Sequence, residues 1–452
     1  MRFVFRILSC IFVLMVMLFS NSCSEKDCVD VIPAGSVALM SVDASRMKGE
    51  NMAWVENLFD AENPGDCGLD LERRMYLFET ADGNFGFCAN VSDENRLLEF
   101  FKKQSEKGFC SPLQERGNIN FTLIDNSWVA GFTDDVIMIC GPVTAAACQE
   151  MEVRMSAYMR QDKKDGIGMT PIYNCLDTLN SPLAIVAKGT AFPENFVAPF
   201  TIGVPTDVDL SDVMITATME INADCLYING NTISFDKEKD SKIKNALTTF
   251  RPLTDKYMKA MSKSDFAGFF LNIDGERFLP LLQNNKSMQA LLMSVNTVVD
   301  MNNIIKSVNG DMAVVCPEWP GTTVKFSMSA QLDDMSWLED VDYWKKSCPA
   351  GGRIADWKEN SYYYSDGGGH DYYFGVTGDK QYFSGTDSKL AYASIGVSDS
   401  PLDSDIISKL KGCRLALIVN IPKENTLTET PGMSVLKAFI GEIGRASCRE
   451  RV

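Results

Sequence analysis

At 452 residues, 45% of them hydrophobic, the chain has the composition of a globular protein too long for one core, and two or more folded units are expected. Its 60 acidic against 43 basic residues give a formal net charge of −17, which repels phosphate backbones and anionic headgroups and excludes nucleic acid as a partner. The one histidine, His370, leaves little scope for imidazole catalysis.

Residues 7–19 are almost wholly apolar, preceded by Arg2 and Arg6 and followed by Ser20-Asn21-Ser22-Cys23. The stretch is too short to span a hydrocarbon core as a helix, and the order basic, apolar, small reads as a cleaved export signal over residues 1–22. A cysteine directly after the small residue makes this a lipoprotein signal, with Cys23 as the lipidated N-terminus of the mature chain. Cys10, after Ile7-Leu8-Ser9, matches the usual lipoprotein box better in residue type but has too little apolar chain before it. Without the lipid, the segment would be an ordinary secretory signal with an incidental cysteine. Ser24-Glu25-Lys26-Asp27 has no aspartate at the position that would retain a lipoprotein in an inner membrane, and its acidic character resembles the short export tags that place such proteins on the outer face of the cell, so the expected location is the outer membrane, facing the cell surface. One acyl chain binds only marginally, and stable attachment implies a multi-chain lipid.

The mature chain reads as two copies of one pattern. Residues 37–47, VALMSVDASRM, correspond to 268–278, GFFLNIDGERF, at an offset of 231. VSDENRLLEFFKK from Val91 answers LDDMSWLEDVDYWKK from Leu332, each read as a helix with acids in its first turn and paired lysines in its last. In the first helix Leu97, Leu98 and Phe101 mark the buried face, and in the second Trp337, Leu338, Val341 and Trp344 do so. Three strands then follow in each copy, near 121–124, 128–132 and 136–140, and near 362–364, 372–376 and 381–384, joined by short turns into antiparallel meanders. Residues 179–186 match 410–417 at the same offset. The first copy continues to a hairpin over 213–235, with its turn placed at Asn229-Gly230. The expected fold class is α+β, a tandem duplication of antiparallel meander sheets with packed helices.

The division that follows is a signal over 1–22, a first repeat over 23–235, a helical connector over 236–263 and a second repeat over 264–441. Residues 442–452, EIGRASCRERV, read as a translated sequencing adapter and are treated as a non-native tail, which leaves the second repeat truncated before its closing hairpin. Without signal and tail the net charge is about −20 by the same formal count. Eleven cysteines remain beside Cys10, Cys23 and Cys448. Cys88, Cys140, Cys225 and Cys316 lie in apolar, strand-like runs and read as buried thiols. The absence of any CxxC argues against a zinc site, and no cofactor or metal is expected.

Candidate chemistry is sparse. His370 follows Gly367-Gly368-Gly369 and reads as a solvated turn residue, and these glycines have neither the lysine nor the following helix of a phosphate loop. Asp333, Asp334, Glu339, Asp340 and Asp342 read as a solvated helix face, and Asp399, Asp403 and Asp405 as a polar loop able at best to hold calcium weakly. The sharper feature is 12 aromatic residues within 337–383. Neighbouring strand residues point to opposite faces, so some of Trp357, Tyr362, Tyr363, Tyr364, Tyr372 and Tyr373 are expected on the side away from the core. There they would stack against a glycan or dock an envelope protein.

VIPAGSVALMSVD from Val31 resembles the opening of a domain-of-unknown-function family of Bacteroidetes outer-membrane lipoproteins, and GDMAV from Gly310 with the strand from Lys325 to Ala330 is similar to the same family. The resemblance implies fold and location and brings no catalytic residues. The expected object is a lipid-anchored, two-copy binding or structural protein, with a surface hydrolase built on paired carboxylates as its first rival and an apolar cargo site between the copies as a third reading. Radiolabelled palmitate should be incorporated, and Cys23→Ser should abolish the label and move the chain from the membrane to the soluble fraction.

Overall fold

The structure, a computed structural model, describes residues 26–47, 67–191, 201–205, 207–222, 225–284, 299–318, 325–348, 350–369, 371–420 and, for the backbone, 445–450. Cys23, His370 and the side chain of Cys225 lie outside the described residues.

The first copy opens with a short helix, α1 (Cys28–Val31), and strand β1 (Ala38–Val42). A hairpin, β2 (Met75–Glu79) and β3 (Phe85–Asn90), leads into helix α2 (Glu94–Glu106). The meander follows as β4 (Gln114–Arg116), β5 (Ile119–Ile124), β6 (Trp128–Phe132) and β7 (Val136–Gly141). Helices α3 (Cys148–Arg160) and α4 (Pro171–Thr178) precede β8 (Leu183–Lys188), β9 (Met214–Asn222) and β10 (Cys225–Ile233). The pairings place the ten strands in the order β4-β5-β6-β7-β3-β2-β1-β8-β9-β10, antiparallel throughout.

After α5 (Lys237–Leu247) the pattern repeats. Strand β11 (Ala267–Asp274) is followed by helices α6 (Gly275–Asn284) and α7 (Met301–Lys306), then by the pair β12 (Val308–Cys316) and β13 (Ser327–Leu332). Helix α8 (Val341–Lys346) leads to the meander β14 (Arg353–Lys358), β15 (Ser361–Ser365), β16 (Asp371–Val376) and β17 (Gln381–Gly385). Helices α9 (Ser388–Ala393) and α10 (Ser404–Leu410) return the chain to β18 (Leu415–Asn420). Eight strands pair as β14-β15-β16-β17-β13-β12-β11-β18, again all antiparallel. Strand for strand, this is the order of the first sheet up to β8. The fold is therefore α+β, a tandem duplication of antiparallel meander sheets with packed helices.

A nineteenth strand, β19 (Arg445–Glu450), runs antiparallel to β18 and parallel to β10. Leu183 faces Met219 across β8 and β9, and Leu415 faces Glu450 across β18 and β19, antiparallel in both copies, with shifts of 232 and 231 residues that differ by one position. The segment read from sequence as a tail thus stands where the counterpart of β9 belongs.

Local chemistry explains most turns. Asp125 and Asn126, between β5 and β6, adopt positive φ of 46° and 53°, a region that short polar side chains tolerate best. Asp93 caps α2 by accepting from the Arg96 N–H at 3.2 Å, and Lys103 sits in the last turn. Its counterpart Asp334 accepts from the Ser336 N–H at 2.9 Å and the Ser336 hydroxyl at 2.5 Å. Here the single helix expected from Leu332 is two pieces, a 3-10 turn over Ser336–Asp340 and then α8.

The turn expected at Asn229-Gly230 is also corrected. Both residues lie within β10, Asn229 opposite Thr218 and Gly230 opposite Ala217, and the ladder runs on to the pair Asn222 and Cys225. Pairing along nine positions outweighs the local preference of one Asn-Gly step, because every displaced residue would leave a ladder group without its partner.

Each sheet receives helices on both faces. In the first copy Leu97 and Phe101 of α2 pack with Ala130, Phe132 and Ile137, while Met151, Met155 and Met159 of α3 pack on the opposite face with Phe121, Val129 and Met138. In the second copy Trp337, Val341 and Trp344 cover Phe374, Val376 and Tyr382, the two tryptophan rings stacking at 6.0 Å and 9°. On the other face Ile406 and Leu410 of α10 cover Phe270, Ala416 and Ile418. Leu253, Tyr257, Met258 and Met261 belong to this last cluster, as Cys28–Ile32 belong to the matching one of the first copy. Ile202, Val204, Val208, Ile243 and Leu247 pack with Leu271, Ile273 and Phe278, so elements preceding the second sheet complete its core.

Trp337 is fully buried and its Nε1 has no hydrogen-bond partner. Trp337→Ala should therefore cost about 3–5 kcal/mol in urea unfolding. Trp337→Phe should cost markedly less, since no hydrogen bond is lost with the indole N–H. The Ser336 hydroxyl and backbone N–H hold the Asp334 carboxyl below the ordinary carboxylate range, a contribution present above that range and lost as pH falls through the depressed value. Ser336→Ala should raise the Asp334 midpoint in an NMR titration.

Candidate binding face on the second copy

The register of β14–β17 sorts the aromatic residues. Tyr364 faces Tyr372 and Tyr362 faces Phe374 on one side of the sheet, whereas Tyr363 faces Tyr373 on the other. The first set belongs to the core. Tyr372 is 9% exposed, with its hydroxyl 3.2 Å from that of Tyr382, and burial pushes both phenols above the usual tyrosine range. Tyr362 and Tyr364 pack half-buried against the same cluster, with the Lys345 ammonium 5.1 Å from the Tyr362 ring.

The opposite side carries a second aromatic group. Tyr363 and Tyr373 stack at 5.7 Å and 24°. Trp357 meets Tyr373 edge-on at 5.0 Å and Tyr392 at 5.5 Å, and Phe383 lies under Tyr392 at 5.0 Å. Arg353 lies 5.7 Å from the Tyr363 ring and donates to its hydroxyl at 2.8 Å. Lys358 sits 5.2 Å from the Trp357 ring and 4.2 Å from that of Tyr392. A bulge between Asp356 and Lys358 turns both Trp357 and Lys358 to this face, where strict alternation would have sent one of them across.

Why these rings reach solvent follows from the helix above them. In the first copy α3, 13 residues long, covers the corresponding face. In the second copy its place is taken by α9, six residues long, which packs chiefly over β17, β16 and β13. The approach is close: a Cβ on Gly385 would stand 2.7 Å from the Ala391 nitrogen, so only glycine fits there. Beyond this short helix Trp357, Tyr363 and Tyr373 are half-buried and Tyr392 is 40% exposed.

Of the six rings singled out from sequence, the structure brings together Trp357, Tyr363 and Tyr373 and places Tyr362, Tyr364 and Tyr372 on the core side. Sequence reasoning missed Tyr392, Arg353 and Lys358. The signal was present in the short polar helix after the meander, whose one exposed tyrosine has no partner within its own helix. The rings do not form one flat platform: apart from the Tyr363–Tyr373 stack they meet edge to face, with cations at both ends.

The acidic clusters are engaged elsewhere. Asp340 accepts from the Asn303 amide at 2.8 Å, Asp342 lies 4.0 Å from the Lys345 ammonium, and Asp403 pairs with Lys263 at 2.5 Å. Among the described residues no group of three or more histidine, cysteine or acidic side chains is placed to hold a metal ion. Cys88, Cys140 and Cys316 carry unbridged thiols, and burial pushes that of Cys140 up to about 12. No helix among the described residues is long and apolar enough to cross a membrane.

A family profile described as a domain of unknown function, DUF4836, matches residues 46–423. Three crystal forms of TP0453 resemble the chain at low similarity: form IV at 11% identity and a TM-score of 0.29, covering 43% of this chain and 76% of that one, and form I at 10% and 0.30, covering 50% and 88%. Form III matches at 8% and 0.26, covering 82% and 97%. No curated protein matches the chain.

Proposed function

The chain belongs to the DUF4836 family, and we propose that this member is a lipid-anchored binding or structural component of the bacterial cell surface, with no catalytic role, held at an outer membrane through Cys23. The reading is carried by the aromatic face of the second copy, where Trp357, Tyr363, Tyr373 and Tyr392 are left half-covered between Arg353 and Lys358. Such a face suits a glycan: the apolar C–H face of a sugar packs on an aromatic ring, and phenol and guanidinium groups hydrogen-bond its hydroxyls. The rival hydrolase needs two carboxylates across a cleft, whereas Asp340 and Asp403, one acid from each cluster, are taken up by Asn303 and Lys263.

Titration of the purified chain with a panel of cell-envelope and plant polysaccharides should quench tryptophan fluorescence. Trp357→Ala and Tyr373→Ala should each weaken binding about tenfold or more, equivalent to roughly 1.4 kcal/mol. Trp337→Phe, in the core, should leave the affinity unchanged. An absence of binding across the panel, or release of reducing ends on incubation, would sink the proposal.

A further inference from the structure

The N-terminal segment is fixed to the first copy from its first described residue. Lys26 Nζ donates to the Met159 carbonyl at 2.6 Å, and Asp27 pairs with Arg73 at 2.5 Å. Asn90 grips the backbone from both sides, its Nδ2 donating to the Lys26 carbonyl at 3.2 Å and its Oδ1 accepting from the Cys28 N–H at 3.5 Å. Cys28, Val31 and Ile32 are fully buried. Gln161 Nε2 donates to the carbonyls of Asp30 and Ile32 at 2.8 and 3.2 Å. This segment is part of the core and cannot serve as a leash.

Two residues, Ser24 and Glu25, separate Cys23 from Lys26. Even fully extended, such a stretch reaches only roughly 10 Å. The surface beside the segment is built by residues 163–169: the Ile167 N–H donates to the Ile32 carbonyl at 2.9 Å, and Gly166 bridges to Pro33. On it the side chains of Lys163 and Lys164 are 78% and 73% exposed, the first 3.9 Å from Asp30 and the second 3.3 Å from Asp162, and Met169 is 64% exposed.

We infer that this surface of the first copy, carrying Lys163, Lys164 and Met169, lies against the lipid headgroups, so that the chain stands on its membrane in one orientation. The inference rests on lipidation at Cys23. A tether of that reach leaves the globule no room to turn over. The exposed methionine then meets the headgroup boundary, and the two lysines turn from Asp30 and Asp162, exposed pairs that hold them weakly, to lipid phosphates while their alkyl stems stay against the protein. With a strongly negative chain overall, the tether and not general attraction must hold this contact.

The test uses the lipidated full chain reconstituted in phosphatidylethanolamine–phosphatidylglycerol vesicles. Acylation of Lys163 and Lys164 by a membrane-impermeant amine reagent is followed by mass spectrometry, relative to the soluble Cys23→Ser form. The native chain should react at least fivefold more slowly at both lysines, and inserting twelve Gly/Ser residues between Ser24 and Glu25 should restore the soluble rate while palmitate incorporation is unchanged. Equal rates in the native and extended forms, with palmitate incorporated, would overturn the orientation alone. Failure to incorporate palmitate would remove the anchor itself and the orientation with it.

Discussion

A β-sheet presents two faces, and each must be kept from water or given something to hold. In this chain both sheets receive helices on both sides, and the length of the helix that follows each four-strand meander decides what is left over. Thirteen residues in the first copy seal the sheet with three methionines spaced by one turn. Six in the second reach only part of the way. The uncovered strands carry rings instead of aliphatic side chains, and those rings satisfy one another edge to face and borrow two cations. The aromatic face is in this sense a core position with only part of a lid.

The copies have diverged unevenly. Strand order and register persist through both, and a short N-terminal segment docks beside the sheet in each, by way of Cys28–Ile32 in one and Leu253–Met261 in the other. The helix before the meander differs more: where one copy has a regular helix capped by Asp93, the other has a 3-10 turn and a short helix that seat two stacked tryptophans. The replacement concentrates the second core on large aromatic side chains. A sheet packed this way tolerates little loss of volume at Trp337, yet has ring surface to spare on its far side.

Much of this was readable from residue order. The 231-residue offset, the six meander strands and the apolar helix faces at Leu97, Phe101, Trp337, Val341 and Trp344 all follow from short-range periodicity, and the strands and buried faces stand where that periodicity puts them. What was hidden depends on partners far along the chain. Asn229-Gly230 carries a turn preference that a nine-residue ladder overrides. Which tyrosines face the core is a matter of parity set by the cross-strand register, and a bulge at Trp357 decides that Lys358 joins the far face; neither leaves a local mark. The dipeptide order Tyr362-Tyr363-Tyr364 guarantees that both faces receive a ring; it cannot say which face has the longer helix.

The seam between the copies has a consequence of its own. Strand Arg445–Glu450 is bounded by main-chain ladders on either side, to β10 of one copy and β18 of the other. Ladders of this kind are blind to the identity of the side chains they carry, so the weld joining two lobes is encoded in amide geometry and not in residue chemistry. Even a run of residues that reads as foreign to the protein can therefore fill that strip, which asks only for an extended backbone, and each lobe stays at liberty to specialise its outer surface while the joint beneath it holds.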